Sequence, residues 1–276
     1  MHHTVRSRRC CFGPAGSREP SAEMTARVEL FAVPGLPMVR AGDHLPDLIL
    51  AGLQRAGQVL RDRDVVVIAQ KIVSKSEGRT VDLADVVPSE QAIALAAQVG
   101  KDPRIVEVVL SESVKVVRSR PNLMIMQHRL GFVMANAGVD QSNVAEADGR
   151  HRALLLPLDP DASAEAIRQA LAPHADIGVV ISDSFGRPWR RGTAGVAIGS
   201  AGIPSVIDLR GKPDLFGRIL EVSIIGFADE IAAAASLLQG QAAEAQPVVV
   251  VRGLAWQAPN VPVAEMVRPP EEDLFQ

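Results

Sequence analysis

Apolar positions along the chain fall into two kinds of pattern. Short unbroken runs, Val65-Val66-Val67-Ile68-Ala69, Ile177-Gly178-Val179-Val180-Ile181 and Pro247 to Arg252, have the length and β-branched content of buried strands. Val28 to Val33 alternates well enough for another strand and stops at Pro34-Gly35-Leu36-Pro37. Further strands are predicted at Val114 to Val117, Leu123 to Met126 and Gly131 to Met134, and at 205–209 and 219–226 around the loop Arg210 to Asp214. Between them lie amphipathic or alanine-rich stretches that predict helices. These cover 44–57, Glu90 to Val99 with Ser89 as cap and Gly100 as stop, a segment opened by Asp102-Pro103, Ser163 to Leu171, and Asp229 to Leu238. Residues 144–152 read as a polar loop, and no internal repeat is visible. The fold class that follows is α/β, a mixed α+β arrangement whose strand order the pattern leaves open.

Composition narrows the class. Hydrophobic residues make up 47% and charged residues 22% of 276, an ordinary globular balance. No apolar run approaches the roughly 20 residues of a membrane span. Aromatics are 3% with no tyrosine, and the net charge is −3, so neither base stacking nor phosphate-backbone binding has a footprint. Residues 1–24 stand apart: they hold both cysteines and no apolar periodicity, and Met24 directly precedes the first strand-like run. We expect a disordered tail or an upstream mis-start there, a body at 25–268 and a short tail at 269–276. With no secretory apolar segment, the expected location is cytoplasmic.

Chemistry concentrates where the Ile177–Ile181 run ends. Ser182-Asp183-Ser184 is followed by a turn with Gly186 and Pro188, by Arg187, Arg190 and Arg191, and by Gly192-Thr193-Ala194-Gly195. A carboxylate and a hydroxyl at a strand end suit a hard cation such as Mg²⁺ or Mn²⁺, and guanidinium forks suit phosphate or carboxylate oxygens. Asp140 ends a second strand-like segment, and Lys71 and Lys75 follow a third. Two carboxylates from separate strands could bracket divalent cations against a polyphosphate, with the lysines as point charges. Asn136 and Asn143 add neutral hydrogen bonds. Taken singly, Asp140 reads equally as a turn residue, Lys75 as a surface lysine, and the arginines as a solvated turn. No phosphate-binding glycine loop, dinucleotide fingerprint or nucleophile elbow is present, and the six histidines have no ligand spacing.

Five blocks together carry a resemblance: Ala69 to Arg79, Ala135 to Asn143, Ser182 to Gly199, Lys212 to Arg218, and Val250 to Leu254. In this order they resemble the coenzyme F(420)-0:L-glutamate ligase family, from about Arg27 to Glu265. The resemblance implies a homodimer with a family-specific γ-glutamyl ligase fold of mixed sheets and two subdomains. It also implies a GTP-dependent ligase, with GTP as co-substrate, joining L-glutamate to coenzyme F(420)-0 through γ-linked amides by way of an acyl phosphate. Mg²⁺ or Mn²⁺ is implied at Asp140, Asp183 and Ser184, with K⁺ a further candidate. Leu36, Pro37, Met38, Val39, Gln70, Lys71, Lys75 and Asn143 match nucleotide-binding positions, and Gly240 and Gln241 belong to a further nucleotide- and metal-contacting loop. That loop, reading Gln-Ala-Ala-Glu-Ala-Gln from Gln241, departs from the family's usual glycines and acids. Arg187, Arg190 and Arg191 are our candidates for holding the coenzyme phosphodiester, its carboxylate or glutamate. From the residues alone, a metal-dependent nucleotide phosphatase, a nucleotide-binding module or a silent scaffold dimer stays open.

Overall fold

The computed structural model describes residues 26–142, 144 and 149–273. The expected tail 1–24 and Asn143 lie outside the described residues. Along the chain run β1 (Glu29–Ala32), α1 (Leu45–Arg55), β2 (Val65–Ala69), α2 (Gln70–Ser76), β3 (Thr80–Asp82), α3 (Glu90–Val99) and α4 (Pro103–Ser111). The middle holds β4 (Ser113–Arg120), β5 (Leu123–His128), β6 (Val133–Ala135), β7 (Arg152–Leu154) and α5 (Pro160–Leu171). The last part holds β8 (Gly178–Gly186), β9 (Thr193–Ala201), β10 (Ile207–Asp208), β11 (Ile224–Ile225), α6 (Phe227–Gln239) and β12 (Val248–Arg252).

The unbroken valine runs become the middle of one five-stranded mixed sheet, ordered β1-β12-β2-β8-β9. Among the described residues its one parallel pair is β2 with β8, in the register Val67↔Val180 and Ala69↔Ser182. Both faces of these strands are covered, which is why they carry no polar alternation. Val66, Ile68, Val179 and Ile181 face Ile49 and Leu53 of α1 and Ile167 and Leu171 of α5. Val65, Val67, Val180 and Val249 face Ala228, Ile231, Ala232 and Ala235 of α6. Arg252 closes the sheet's far end with a bidentate pair to Asp64, at 2.7 and 2.8 Å. Its place in the Val250–Leu254 block is therefore structural.

A separate apolar cluster gathers α3, α4, β5 and the segment around Ala137 and Val139. The small sheets β4-β5-β6 and β3-β7 accompany it. The signalled caps are there: Ser89 Oγ accepts from Ala92 N, Asp102 from Arg104 N, and Gly100 takes the left-handed turn at φ 71°.

Several sequence expectations need correction. The strand starting near Ile177 does not stop at Ile181; β8 continues through Ser182-Asp183-Ser184 to Gly186. In the glycine-rich 192–195 segment, for which the pattern predicts no element, Thr193, Ala194 and Gly195 open strand β9, paired antiparallel to β8. A Cβ at Gly195 would lie 2.3 Å from the Ala232 carbonyl oxygen, and one at Gly199 would lie 2.4 Å from the Pro160 backbone. The small residues there let α6 and α5 approach the strand, a packing demand that a phosphate-binding loop does not make. Residues 205–209 and 219–226 shrink to the two-residue strands β10 and β11. Helix α2 and strands β3 and β7 carry no signal in the apolar pattern.

Candidate nucleotide and metal site

The parallel register assembles the site. Because Ala69 lies beside Ser182, the chain leaving β2 puts Gln70 and Lys71 next to Asp183. Asp140 arrives from the other side. Asn136, Ala137 and Gly138 are successive left-handed residues, at φ 51°, 51° and 71°. This costly conformation turns the chain after β6, and Ala137 is anchored in the second core. Asp140 then bridges Leu154 of β7 through a reciprocal backbone pair.

Lys71 Nζ lies 2.6 Å from Asp140 Oδ2 and 2.7 Å from Ser142 Oγ. Ser142 also donates its N–H to Asp140 Oδ1 at 2.7 Å. Asp140 is half-buried, and burial alone would raise its pKa. The Lys71 ammonium and the Ser142 donors outweigh that and lower it. Asp183 is the opposite case. Burial pushes its carboxyl up to about 6, the like charge of Asp140 adds to this, and the Ser184 N–H, Lys71 and Gln70 act against it. The two carboxylates thus sense each other electrostatically across Lys71.

Beside them opens a cavity of about 410 Å³, within the range of small-molecule sites. One wall is Leu36, Pro37, Met38 and Val39; another is Gln70, Lys71 and Lys75; the floor is Ser182, Asp183 and Ser184. Gly240 to Pro247 forms the remaining side, with Gln241 among its lining residues. Gly240 caps α6 at φ 70°, turning the chain into that loop.

The structure therefore brings together Leu36 to Val39, Gln70, Lys71, Lys75, Asp183, Ser184, Gly240 and Gln241 around one cavity, with Asp140 bonded to its Lys71. It does not bring the arginines there. Arg187, Arg190 and Arg191 are exposed on the tip of the β8–β9 hairpin, which starts three residues beyond Ser184. Sequence reasoning missed Ser236, Gln239 and Glu244, which also line the cavity. Ser236 and Gln239 sit in a helix and carry no motif. Glu244 is an acid in the divergent loop, where the residue type was visible and its direction was not.

Among the described residues no three His, Cys, Asp or Glu side chains form a metal cluster. A divalent cation still fits the donors present. Mg²⁺ is commonly held by one or two carboxylates and completes its shell with water and substrate phosphates. Two mutually repelling carboxylates, a hydroxyl and an amide oxygen beside a cavity meet that description.

The family model described as "F420-0:Gamma-glutamyl ligase" matches residues 35–253. A protein of Methanothermobacter thermautotrophicus named "Coenzyme F420:L-glutamate ligase" is 44% identical over 253 residues, covering 90% of this chain and 99% of its own. Proteins of the same name from Methanocaldococcus jannaschii and Halorubrum lacusprofundi are 40% and 45% identical. They cover 87% and 82% of this chain, and 94% and 87% of their own lengths. With the cavity and its converging carboxylates in place, a match of this extent leaves one conclusion: the chain belongs to the F420-0:gamma-glutamyl ligase family of enzymes.

Proposed function

We propose that the protein is a GTP-dependent ligase that adds L-glutamate to coenzyme F(420)-0 through γ-linked amide bonds. The observation that carries this reading is that Asp183 and Lys71 line one cavity while Lys71 is ion-paired with Asp140, which is distant from Asp183 in sequence. In the proposed reaction the γ-phosphoryl group passes from GTP to the acceptor's terminal carboxylate, leaving GDP and an acyl phosphate. The glutamate amine then attacks the acyl carbon, the C–N bond forms, phosphate departs, and the amine proton goes to solvent. Both steps develop negative charge, which fixed cations stabilise better than reorienting water.

Lys71 and Lys75 are placed to neutralise phosphate oxygens. Leu36 to Val39 and the loop 240–247 wall the nucleotide from solvent. Asp140, Asp183, Ser184 and Gln241 would hold the divalent cation, which supplies charge neutralisation to the phosphates when bound. Arg187, Arg190 and Arg191 are assigned to substrate anions, presented from the hairpin that continues the Asp183 strand. Exposed Trp189, Leu215 and Phe216, at 92%, 98% and 95% exposure, support a homodimer that covers these loops.

The test is to mix protein, GTP, Mn²⁺ and glutamate with and without the deazaflavin acceptor. Acceptor-dependent GDP release with a mass gain of one glutamyl residue is expected. GTP hydrolysis that ignores the acceptor would make the protein a phosphatase instead.

A further inference from the structure

Consecutive residues of β9 open onto two different cavities. Gly195 borders the nucleotide cavity, whereas Val196 and Ala197 border another, of about 460 Å³. Neighbouring side chains on a strand point to opposite faces of the sheet. β9 is the outer strand of the large sheet, so a cavity that touches both residues wraps the sheet's open edge. Its other walls are mainly apolar: Phe132 and Val133 from the β5–β6 turn, and Val263, Met266 and Val267 from the segment after β12. These two walls meet, since a Cβ at Gly131 would lie 2.7 Å from Val267 Cγ1. Four charged side chains are set among them, Lys115 and Arg268 as cations and Asp229 and Asp273 as acids. Asp229 is already engaged, its Oδ1 accepting from Ala197 N at 2.9 Å.

The cavity lies close to Asp183. Val196 stands directly opposite Asp183 in the β8–β9 register, and such pairs share a face with Cβ atoms about 4.5–5.5 Å apart. Phe132 packs edge-on against Phe185 of β8, with ring centroids 6.1 Å apart. On α6, Asp229 borders this cavity and Ser236 the nucleotide cavity, about 10 Å of helix apart.

We propose that this second cavity is the acceptor site, holding a flat heteroaromatic ring between its apolar walls while the anionic tail runs along β9 toward Asp183. The inference rests on the ligase reading above. Phosphoryl transfer between two substrates needs both held within reach of each other, and this cavity shares both β9 and α6 with the nucleotide's. Lys115 and Arg268 meet the tail's phosphodiester. L-Glutamate suits the cavity poorly, because an amino acid charged at three points leaves the apolar walls unused.

Equilibrium dialysis of coenzyme F(420)-0 against the protein, with GDP present, tests the assignment. Wild type is compared with Lys115→Ala/Arg268→Ala and Val133→Glu, all changes at exposed side chains. The double variant is expected to raise the acceptor dissociation constant at least about tenfold. It should bind a deazaflavin lacking the phosphodiester tail as wild type does. Val133→Glu sets a charge against the ring and should weaken both ligands by a similar factor. In turnover, the KM values for GTP and for glutamate should stay within about twofold of wild type in each variant. Thermal melts separate lost affinity from lost fold. An acceptor dissociation constant unchanged in both variants, or a KM that moves for glutamate instead, overturns the acceptor site. Wild-type protein that retains no acceptor overturns the ligase reading and the site together. Acceptor binding that falls in the variants while wild type forms no product supports the site and overturns the ligase reading alone.

Discussion

Asp183 carries the site's central conflict. Its carboxyl is pushed up to about 6 by burial, so folding favours the protonated acid. That contribution to stability is complete below about 3.8 and is lost as pH rises through about 6, leaving a buried charge in the metal-free protein. Asp183→Asn removes the charge and keeps the shape. In EDTA at pH 8 its melting temperature is expected to equal or exceed wild type, with the gap closing at pH 4. Turnover should fall at least about 100-fold, the scale of a lost catalytic cation. Melting curves at the two pH values and steady-state rates check both halves; near-normal turnover would end the metal assignment. Lys75 lines the cavity wall, and in the proposed reaction its point charge meets phosphate in ground and transition states alike. Lys75→Ala should therefore raise the GTP KM more than it lowers kcat, and the reverse split would place Lys75 at the transition state.

At the scale of elements, the β8–β9 hairpin decides how the site is framed. Gly195 leaves no room for a side chain, since an added Cβ would meet the α6 backbone at Ala232. Gly195→Val should force α6 outward and destabilise the fold by about 1–3 kcal/mol. It should also weaken GTP binding, because α6 leads directly into the loop 240–247; an unchanged urea midpoint would contradict this packing role. The same hairpin shows how far the sequence could be read. Runs such as Val65 to Ala69 were legible because a strand covered on both faces must be continuously apolar. Ser89, Asp102 and Gly100 were legible because cap chemistry is local. Ser182-Asp183-Ser184 looked like a strand end because polarity normally marks one, yet here the strand runs past the core and borders a cavity. Helix α2, seven residues without a side-chain cap, depends on packing that no local pattern reveals. The individual site residues could be named from their types and from family resemblance. Their meeting point could not, because it depends on the β2–β8 parallel register and on a strand order the pattern does not encode.

For the whole molecule, the two carboxylates come from different cores, Asp183 from the large sheet and Asp140 from the cluster around α3 and α4. If the exposed Leu215 and Phe216 are covered by a second subunit, a Leu215→Glu/Phe216→Glu double variant should sediment as a monomer where wild type is a dimer. Within one subunit the arrangement is braced by Glu112, which is 8% exposed at the end of α4. Its Oε2 accepts from Arg79 Nη2 at 2.9 Å and Arg129 Nε at 3.3 Å, and His128 Nε2 approaches to 3.4 Å. Arg79 Nε and Arg129 Nη1 also donate to the carbonyls of Leu156 and Leu158, tying α4 to the segment that enters α5. Burial alone would raise the Glu112 pKa, but the nearby His128 imidazole and the two guanidinium charges hold it at about 2. A depressed carboxylate stabilises the fold above its unfolded value of about 4.5 and loses that contribution as pH falls toward 2. Glu112→Gln should therefore cost about 1–3 kcal/mol at pH 7, where the partly buried Arg79 and the more exposed Arg129 lose their counter-charge. The wild-type advantage should shrink through pH 4 and 3 as Glu112 takes up its proton. Urea titrations of both proteins across that range measure the difference directly. A gap that stays constant with pH would mean that Glu112 acts through its shape and neutral hydrogen bonds, and that its charge does not hold the second core against α5.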